Sequence, residues 1–275
     1  MTTHLLDVHH LRKVFHVGRA KGRSEELVAV DDVSFSLERN SSLAVVGESG
    51  SGKTTTARII AGLESATGGS IELDGKPLAS PDSPRSRRLK AREIQMVFQD
   101  PFGSLDPRQK VGACIDELLA AHFDHDKAWR RDRTMELLAQ VGLDERHADE
   151  LPRRLSGGQR QRVAIARALS LEPKLLILDE AVSALDVSVQ AQVLNLLSDI
   201  RESLDITYLF VSHDLAVVRQ ISDHCIVMDR GRIVEMGSTE SVLDSPAEDY
   251  TKQLLDAIPR PGWTPSRRRD LPASV

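Results

Sequence analysis

The chain has 275 residues, enough for one or two domains whose core buries roughly three-quarters of the unfolded surface. Its 40% apolar and 28% charged content belongs to an ordinary globular protein and excludes collagen-like, coiled-coil and wholly disordered chains. The net charge of -5, from 36 Lys and Arg against 41 Asp and Glu, lacks the basic footprint of a dedicated nucleic-acid binder.

Met1 to Asp7 reaches an acidic residue before any signal-type apolar stretch, and no later run approaches the ~18 apolar residues that span a bilayer. Cys114 and Cys225 are isolated, so spacing gives neither a disulfide framework nor a thiolate metal cluster. A cytoplasmic, reducing location is expected, with any membrane role supplied through a partner.

Residues 5 to about 98 read as strand-rich. Gly18 to Ser24, with glycines and cations but no apolar period, reads as a solvated loop. Val33, Phe35 and Leu37 alternate with polar residues as a half-buried strand does, and Leu43–Val46 reads as a strand buried on both faces. Ser70–Leu73 followed by Asp74-Gly75 predicts a strand ending in a hairpin turn. Arg85, Arg87, Arg88, Lys90 and Arg92 read as a solvated helix face before a strand at Ile94.

From 103 to about 170 the period becomes helical, in Ile115–Leu119 and again in Met135–Leu138, which predicts a helical insertion. His122, Asp124, His125 and Asp126 read as a connection between helices, since no second cluster completes a metal shell. Leu175–Leu178 and Tyr208–Val211 are buried-strand runs separated by a helical stretch, which implies parallel strands with a crossover. Residues 259–275, rich in Pro and Arg, read as a flexible tail, and no internal repeat is present.

Chemistry concentrates first at Gly47-Glu48-Ser49-Gly50-Ser51-Gly52-Lys53-Thr54, which fits G-x-x-x-x-G-K-[ST] between a strand and a helix. Glycines let such a loop curl so that backbone N–H groups and the helix N-terminus face phosphate oxygens. Lys53 then neutralises the outer phosphates, Thr54 offers its hydroxyl to Mg²⁺, and Thr55 follows within the same turn. A second acidic site closes the run Leu175–Leu178: Asp179 is placed to hold Mg²⁺, and Glu180 to orient or deprotonate water.

Leu155-Ser156-Gly157-Gly158-Gln159, followed by Arg160-Gln161-Arg162, closely resembles the signature sequence of ABC-transporter ATPases. Other family motifs follow in order. Gln99 resembles the Q-loop, Ser183-Ala184-Leu185-Asp186 the D-loop, His213 the switch histidine, and Phe15 the aromatic that stacks on adenine. The resemblance covers about residues 5 to 258. Met96–Arg108 and Ser183–Gln192 are similar to the oligopeptide/dipeptide importer subgroup, which also serves nickel, opines and glutathione. Departures are Ala181 where proline usually follows the Asp-Glu pair, Glu248-Asp249-Tyr250-Thr251 where the subgroup often has His-Pro-Tyr-Thr, and the lack of a C-terminal cysteine cluster.

The resemblance implies an α/β P-loop NTPase of the ABC ATPase type with an antiparallel β subdomain and a helical subdomain. The cassette would span 1–258, the helical part about 103–170. It implies ATP and Mg²⁺ as cofactors, with Gln99 joining Thr54 and Asp179 at the metal, and Gln99, Glu180 and His213 in catalysis. Ser156, Gly157, Gly158, Gln159 and Asp186 would face a nucleotide held by the opposite subunit. One copy of each motif then requires two chains head to tail, as a heterodimer with a related ATPase or as a homodimer. Two membrane permease subunits and an extracytoplasmic solute-binding protein complete the expected complex, at the cytoplasmic face of the membrane, with no nucleic acid. Alternatives are an exporter ATPase, or a soluble ABC-type ATPase of translation or DNA repair. The soluble ATPases usually carry tandem cassettes or a long coiled coil, and the subgroup motifs around Gln99 and Asp186 argue against an exporter. A small-molecule kinase would leave Leu155–Gln159 unexplained.

Overall fold

The computed structural model describes residues 4–20, 23–78, 84–100, 103 and 105–257. Strands β1 (His4–Ala20), β2 (Arg23–Glu38), β4 (Gly68–Leu73) and β5 (Lys76–Pro77) form an antiparallel sheet in the order β2-β1-β4-β5. A second sheet takes β3 (Ser42–Val46), β6 (Ile94–Val97), β7 (Leu175–Asp179), β8 (Thr207–Val211), β9 (His224–Asp229) and β10 (Arg232–Ser238), ordered β10-β9-β3-β8-β7-β6. It is parallel except for β10, which folds back on β9.

The apolar runs are continuous because the second sheet is covered on both faces. Along β3, Leu43 and Val45 enter one core with Ile59 and Ile60, while Ala44 and Val46 enter another with Leu215 and Val218. Along β7, Leu175 and Ile177 face the antiparallel sheet's core, and Leu176 and Leu178 face the helices. Alternate side chains of one strand thus weld the layers together.

Helix α1 (Lys53–Ala61) leaves the loop after β3, and α2 (Pro84–Glu93) precedes β6. Between β6 and β7 come α3 (Val111–His122), α4 (Lys127–Gln140), two 3-10 turns at Glu145–Asp149 and Pro152–Arg154, and α5 (Gly157–Leu169). The crossover from β7 to β8 is α6 (Val187–Leu204). The chain continues through α7 (Leu215–Ile221), α8 (Thr239–Asp244) and α9 (Asp249–Asp256).

Asp74 and Gly75 both take positive φ, 59° and 70°, which gives the β4–β5 hairpin its tight turn. The expected loop at Gly18–Ser24 is instead ribbon: β1 and β2 pair as far as Arg19↔Ser24 and Ala20↔Arg23, with Lys21 and Gly22 outside the described residues. β2 lies at the sheet edge, where charged residues are compatible with pairing and discourage further strands. The basic helix face is only partly solvated. Arg88 is exposed, but burial pulls the Lys90 ammonium below the ordinary lysine range, and the Arg92 guanidinium stacks 4.5 Å from the Phe123 ring centre. The α3–α4 connection forms a helix cap: Asp126 accepts the Trp129 N–H at 2.8 Å, and the His125 and Trp129 rings lie 4.0 Å apart. The tail 259–275 lies outside the described residues.

Candidate functional site

Buried β3 delivers Gly47 beneath an exposed apex of Glu48, Ser49 and Gly50. Gly47 has φ 147°, and a Cβ there would run into the Met228 carbonyl, so the sequence has no freedom at this position. The loop closes through Ser51 N–H to the Glu48 carbonyl at 3.2 Å, and Gly231 N–H to the Ser51 carbonyl at 3.0 Å. Helix α1 begins at Gly52 with no side-chain cap, leaving its first N–H groups facing the loop.

Lys53 is 5% exposed, and its ammonium donates to the Gly47 and Glu48 carbonyls at 2.8 and 2.7 Å. Burial pulls it below the ordinary lysine range, opposed by the negative charges of Glu180, Asp179 and Glu48. Thr54 Oγ1 donates to Asp179 Oδ1 at 3.0 Å, which ties the loop to the end of β7. Burial pushes the Asp179 carboxyl above the ordinary carboxylate range, against the hydrogen bond from Thr54. Thr55 lies half-buried on the next position of α1.

Glu180 takes φ 49°, a left-handed backbone rare for a side-chain-bearing residue. Its N–H donates to Val211 at 2.9 Å, and its carbonyl accepts from both Ser183 N–H (3.1 Å) and Ser183 Oγ (2.9 Å). Ala181 therefore leaves this turn pinned without the proline. Glu180 Oε1 meets His213 Nδ1 at 3.2 Å, the imidazole being the more exposed partner. Gln99 donates to Ser183 Oγ at 3.3 Å, so the structure brings it to the turn after Glu180 rather than to the Thr54–Asp179 pair.

The second glycine motif opens α5. Ser156 Oγ accepts the Gln159 N–H at 3.2 Å and Gln159 Oε1 accepts the Ser156 N–H at 2.9 Å, a reciprocal capping box. Gly157 lies against Leu185, and a Cβ on buried Gly158 would run into Val189. Asp186 caps α6, accepting from Val189 N–H (3.0 Å) and Ser188 Oγ (2.8 Å), bonds that hold its carboxyl below the ordinary range. Among the described residues no hydrogen bond joins Ser156–Gln159 or Asp186 to the Gly47–Thr54 loop. Phe15 also stands apart: half-buried on β1, its ring takes the Lys13 ammonium at 4.7 Å.

Two groups escaped the sequence reading. Tyr250 on α9 receives the Glu48 N–H at 3.3 Å, across 202 positions, and helix α9's entry is fixed by Glu235 accepting Ala247 N–H at 2.8 Å. Nothing local signals that contact. His147 sits 3.3 Å from the Gln159 amide nitrogen. The S-x-x-Q pattern would have announced the capping box, though not its histidine.

The ABC transporter family matches residues 30–183, more than half of the chain. The chain belongs to this family. Its ATP-binding cassette couples ATP hydrolysis to transport. Among curated relatives, the dipeptide transport ATP-binding protein DppF of Escherichia coli is 46% identical over 97% of this chain and 79% of its own length. The oligopeptide transport ATP-binding protein OppF of Bacillus subtilis is 43% identical over 98% and 87%. Among solved structures, the cassette MJ0796, in a dimeric post-hydrolysis state bound to ADP and Pi, matches at TM-score 0.76 with 28% identity, over 85% of this chain and 98% of its own. CbiO1 of Clostridium perfringens, part of the transporter complex cbiONQ, matches at 0.76 with 27% identity, over 89% and 92%. Among the described residues no helix is long and apolar enough to cross a membrane.

Proposed function

We propose that this chain is the ATPase subunit of an importer for dipeptides, oligopeptides or a similar small solute. The observation that carries the chemistry is the Thr54–Asp179 hydrogen bond, which joins the phosphate loop to the strand end beside the Glu180–His213 pair. The solute class rests on relatives 43 to 46% identical whose names specify dipeptide or oligopeptide transport.

The residues fit a magnesium nucleotide. Lys53 is a buried cation whose hydrogen bonds go to its own loop, and Asp179 is a buried carboxylate with a hydroxyl beside it, an oxygen set suited to Mg²⁺. Thr54 and Asp179 would hold Mg²⁺, with Gln99 joining them from the turn at Ser183, and the ion would supply charge neutralisation to the phosphates. Gly47 to Gly52 and Thr55 bind the phosphates, and Phe15 stacks on the base. Glu180 accepts the proton of the attacking water, with His213 fixing its carboxylate and meeting the γ-phosphate. Positioning and charge do most of the catalysis in such a reaction.

The site is shared between two chains. Ser156 Oγ accepts from Gln159, so its own proton stays free to reach the γ-phosphate of a nucleotide on the partner. Gly157, Gly158, Gln159 and Asp186 line that side. We take residues 1–258 as the cassette with 103–170 as its helical part, pairing with a second ATPase, two permease subunits and an extracytoplasmic binding protein at the cytoplasmic membrane face. Purifying a tagged Glu180→Gln chain from native membranes with Mg-ATP tests this. Recovery of two permeases and a second cassette is expected; ribosomes, repair proteins or no membrane partner would overturn it.

A further inference from the structure

His147 lies on the first of the two 3-10 turns before the signature, Glu145–Asp149, and is 8% exposed. Its Nδ1 is 3.0 Å from the Asp144 carbonyl oxygen, and its Nε2 is 3.3 Å from Gln159 Nε2. The amide's orientation is set, because Gln159 Oε1 accepts the Ser156 N–H at 2.9 Å. A carbonyl only accepts and an amide NH₂ only donates. The histidine must therefore carry its proton on Nδ1 and present a bare Nε2.

We infer that His147, as the neutral Nδ1–H tautomer, is a positioning residue for the signature, anchoring the Gln159 amide that holds Ser156. The inference rests on the reading of Ser156 proposed above. One line of hydrogen bonds runs from Ser156 N–H to Gln159, from Gln159 to His147, and from His147 to the Asp144 carbonyl. Protonation of Nε2 sets donor against donor. With the amide in place the Gln159–His147 bond is lost; turning the amide over moves the same conflict onto the Ser156 N–H and costs that bond of the capping box instead.

The charges around the ring are already matched. The Asp144 carboxylate, 3.9 Å from Nδ1, pairs with Arg146 at 3.1 Å. Glu150 and Arg154, 3.2 Å apart, share a surface cavity of about 360 Å³ with His147 and Gln159. From the packed helices, Lys110 at the start of α3 pairs with Asp149, on which the charge of Arg131 of α4 also acts. Each of these three carboxylates has its own cation.

Two measurements on the full chain in its membrane complex, or alone, test the inference. Nitrogen-15 NMR of labelled histidines at about pH 8, assigned by comparison with His147→Gln, is expected to show the Nδ1–H tautomer, and an Nε2–H signal would overturn it. ATP hydrolysis is then followed at about pH 8. His147→Leu is expected to lower kcat roughly fivefold with KM within about twofold, the fold-equivalent of a lost helix cap. His147→Gln keeps an acceptor near the Nε2 position, so it is expected to restore kcat. Wild-type kcat in His147→Leu, or equal loss in both variants, would overturn it. If the wild-type chain neither binds nor hydrolyses ATP, the signature reading fails and the tautomer decides whether His147 anchors Gln159.

Discussion

The two glycine motifs both open helices, yet they are built in opposite ways. Helix α1 begins at Gly52 without a side-chain cap, and its loop is held by distant parts of the chain: the Gly231 N–H, the Tyr250 hydroxyl and Thr54's bond to Asp179. Helix α5 is capped by its own Ser156 and Gln159, with His147 a few residues ahead and Val189 packed on Gly158. The first leaves its N–H groups open for an anion. The second has its Ser156 and Gln159 N–H groups satisfied within its own turn and keeps the Ser156 hydroxyl proton to offer. An open half and a self-capped half, with no hydrogen bond between them among the described residues, fit the proposal of a site completed by a partner.

Substitutions that strike one half and spare the other sharpen the contrast. Lys53→Ala removes the charge-assisted phosphate contact, so ATP affinity is expected to fall about 100-fold in a nucleotide-binding titration, with α5 undisturbed. Gly158→Ala forces a Cβ into Val189 and is expected to destabilise the fold by about 1–3 kcal/mol in urea unfolding. Val189→Ala should recover most of that loss while ATP binding stays normal throughout.

Asp179 tests the cost of the open half. Burial raises its folded pKa, so the folded chain binds the proton more readily than the unfolded chain. Stability from this group then falls as pH rises from the ordinary carboxylate value through the raised one, and the deficit persists at neutral pH. Asp179→Asn is accordingly expected to raise the apo melting temperature at pH 7 by a few degrees, about 2–4 °C per kcal/mol, while abolishing Mg²⁺-dependent nucleotide binding. The stability gain should vanish well below the ordinary carboxylate pKa. The smallest effect is expected from Tyr250→Phe, which strips one neutral hydrogen bond from Glu48 and should weaken ATP binding by about threefold to tenfold.

Much of this was legible in sequence because its signals are local. Gly47 to Thr54 names its own loop, Asp74-Gly75 its hairpin, and Leu175 to Glu180 a buried strand ending in carboxylates. What stayed hidden depends on contacts far apart in the chain. Tyr250 reaches Glu48 over 202 positions, and Lys90 reads as one more surface cation until packing desolvates it. Charge also misled at Gly18–Ser24, since an edge ribbon accepts the same residues that a loop does. Asp186 is also the cap of α6, a role its Asp-x-Ser spacing already fits.

The most direct test of the shared site is the mass of the Glu180→Gln chain, with its partner cassette where one is needed, by sedimentation with and without Mg-ATP. The account predicts ATP-dependent pairing of two cassettes that is lost on adding Ser156→Arg, although that double variant still binds ATP. Pairing that survives Ser156→Arg, or full hydrolysis by a single chain at a rate independent of concentration, would contradict it.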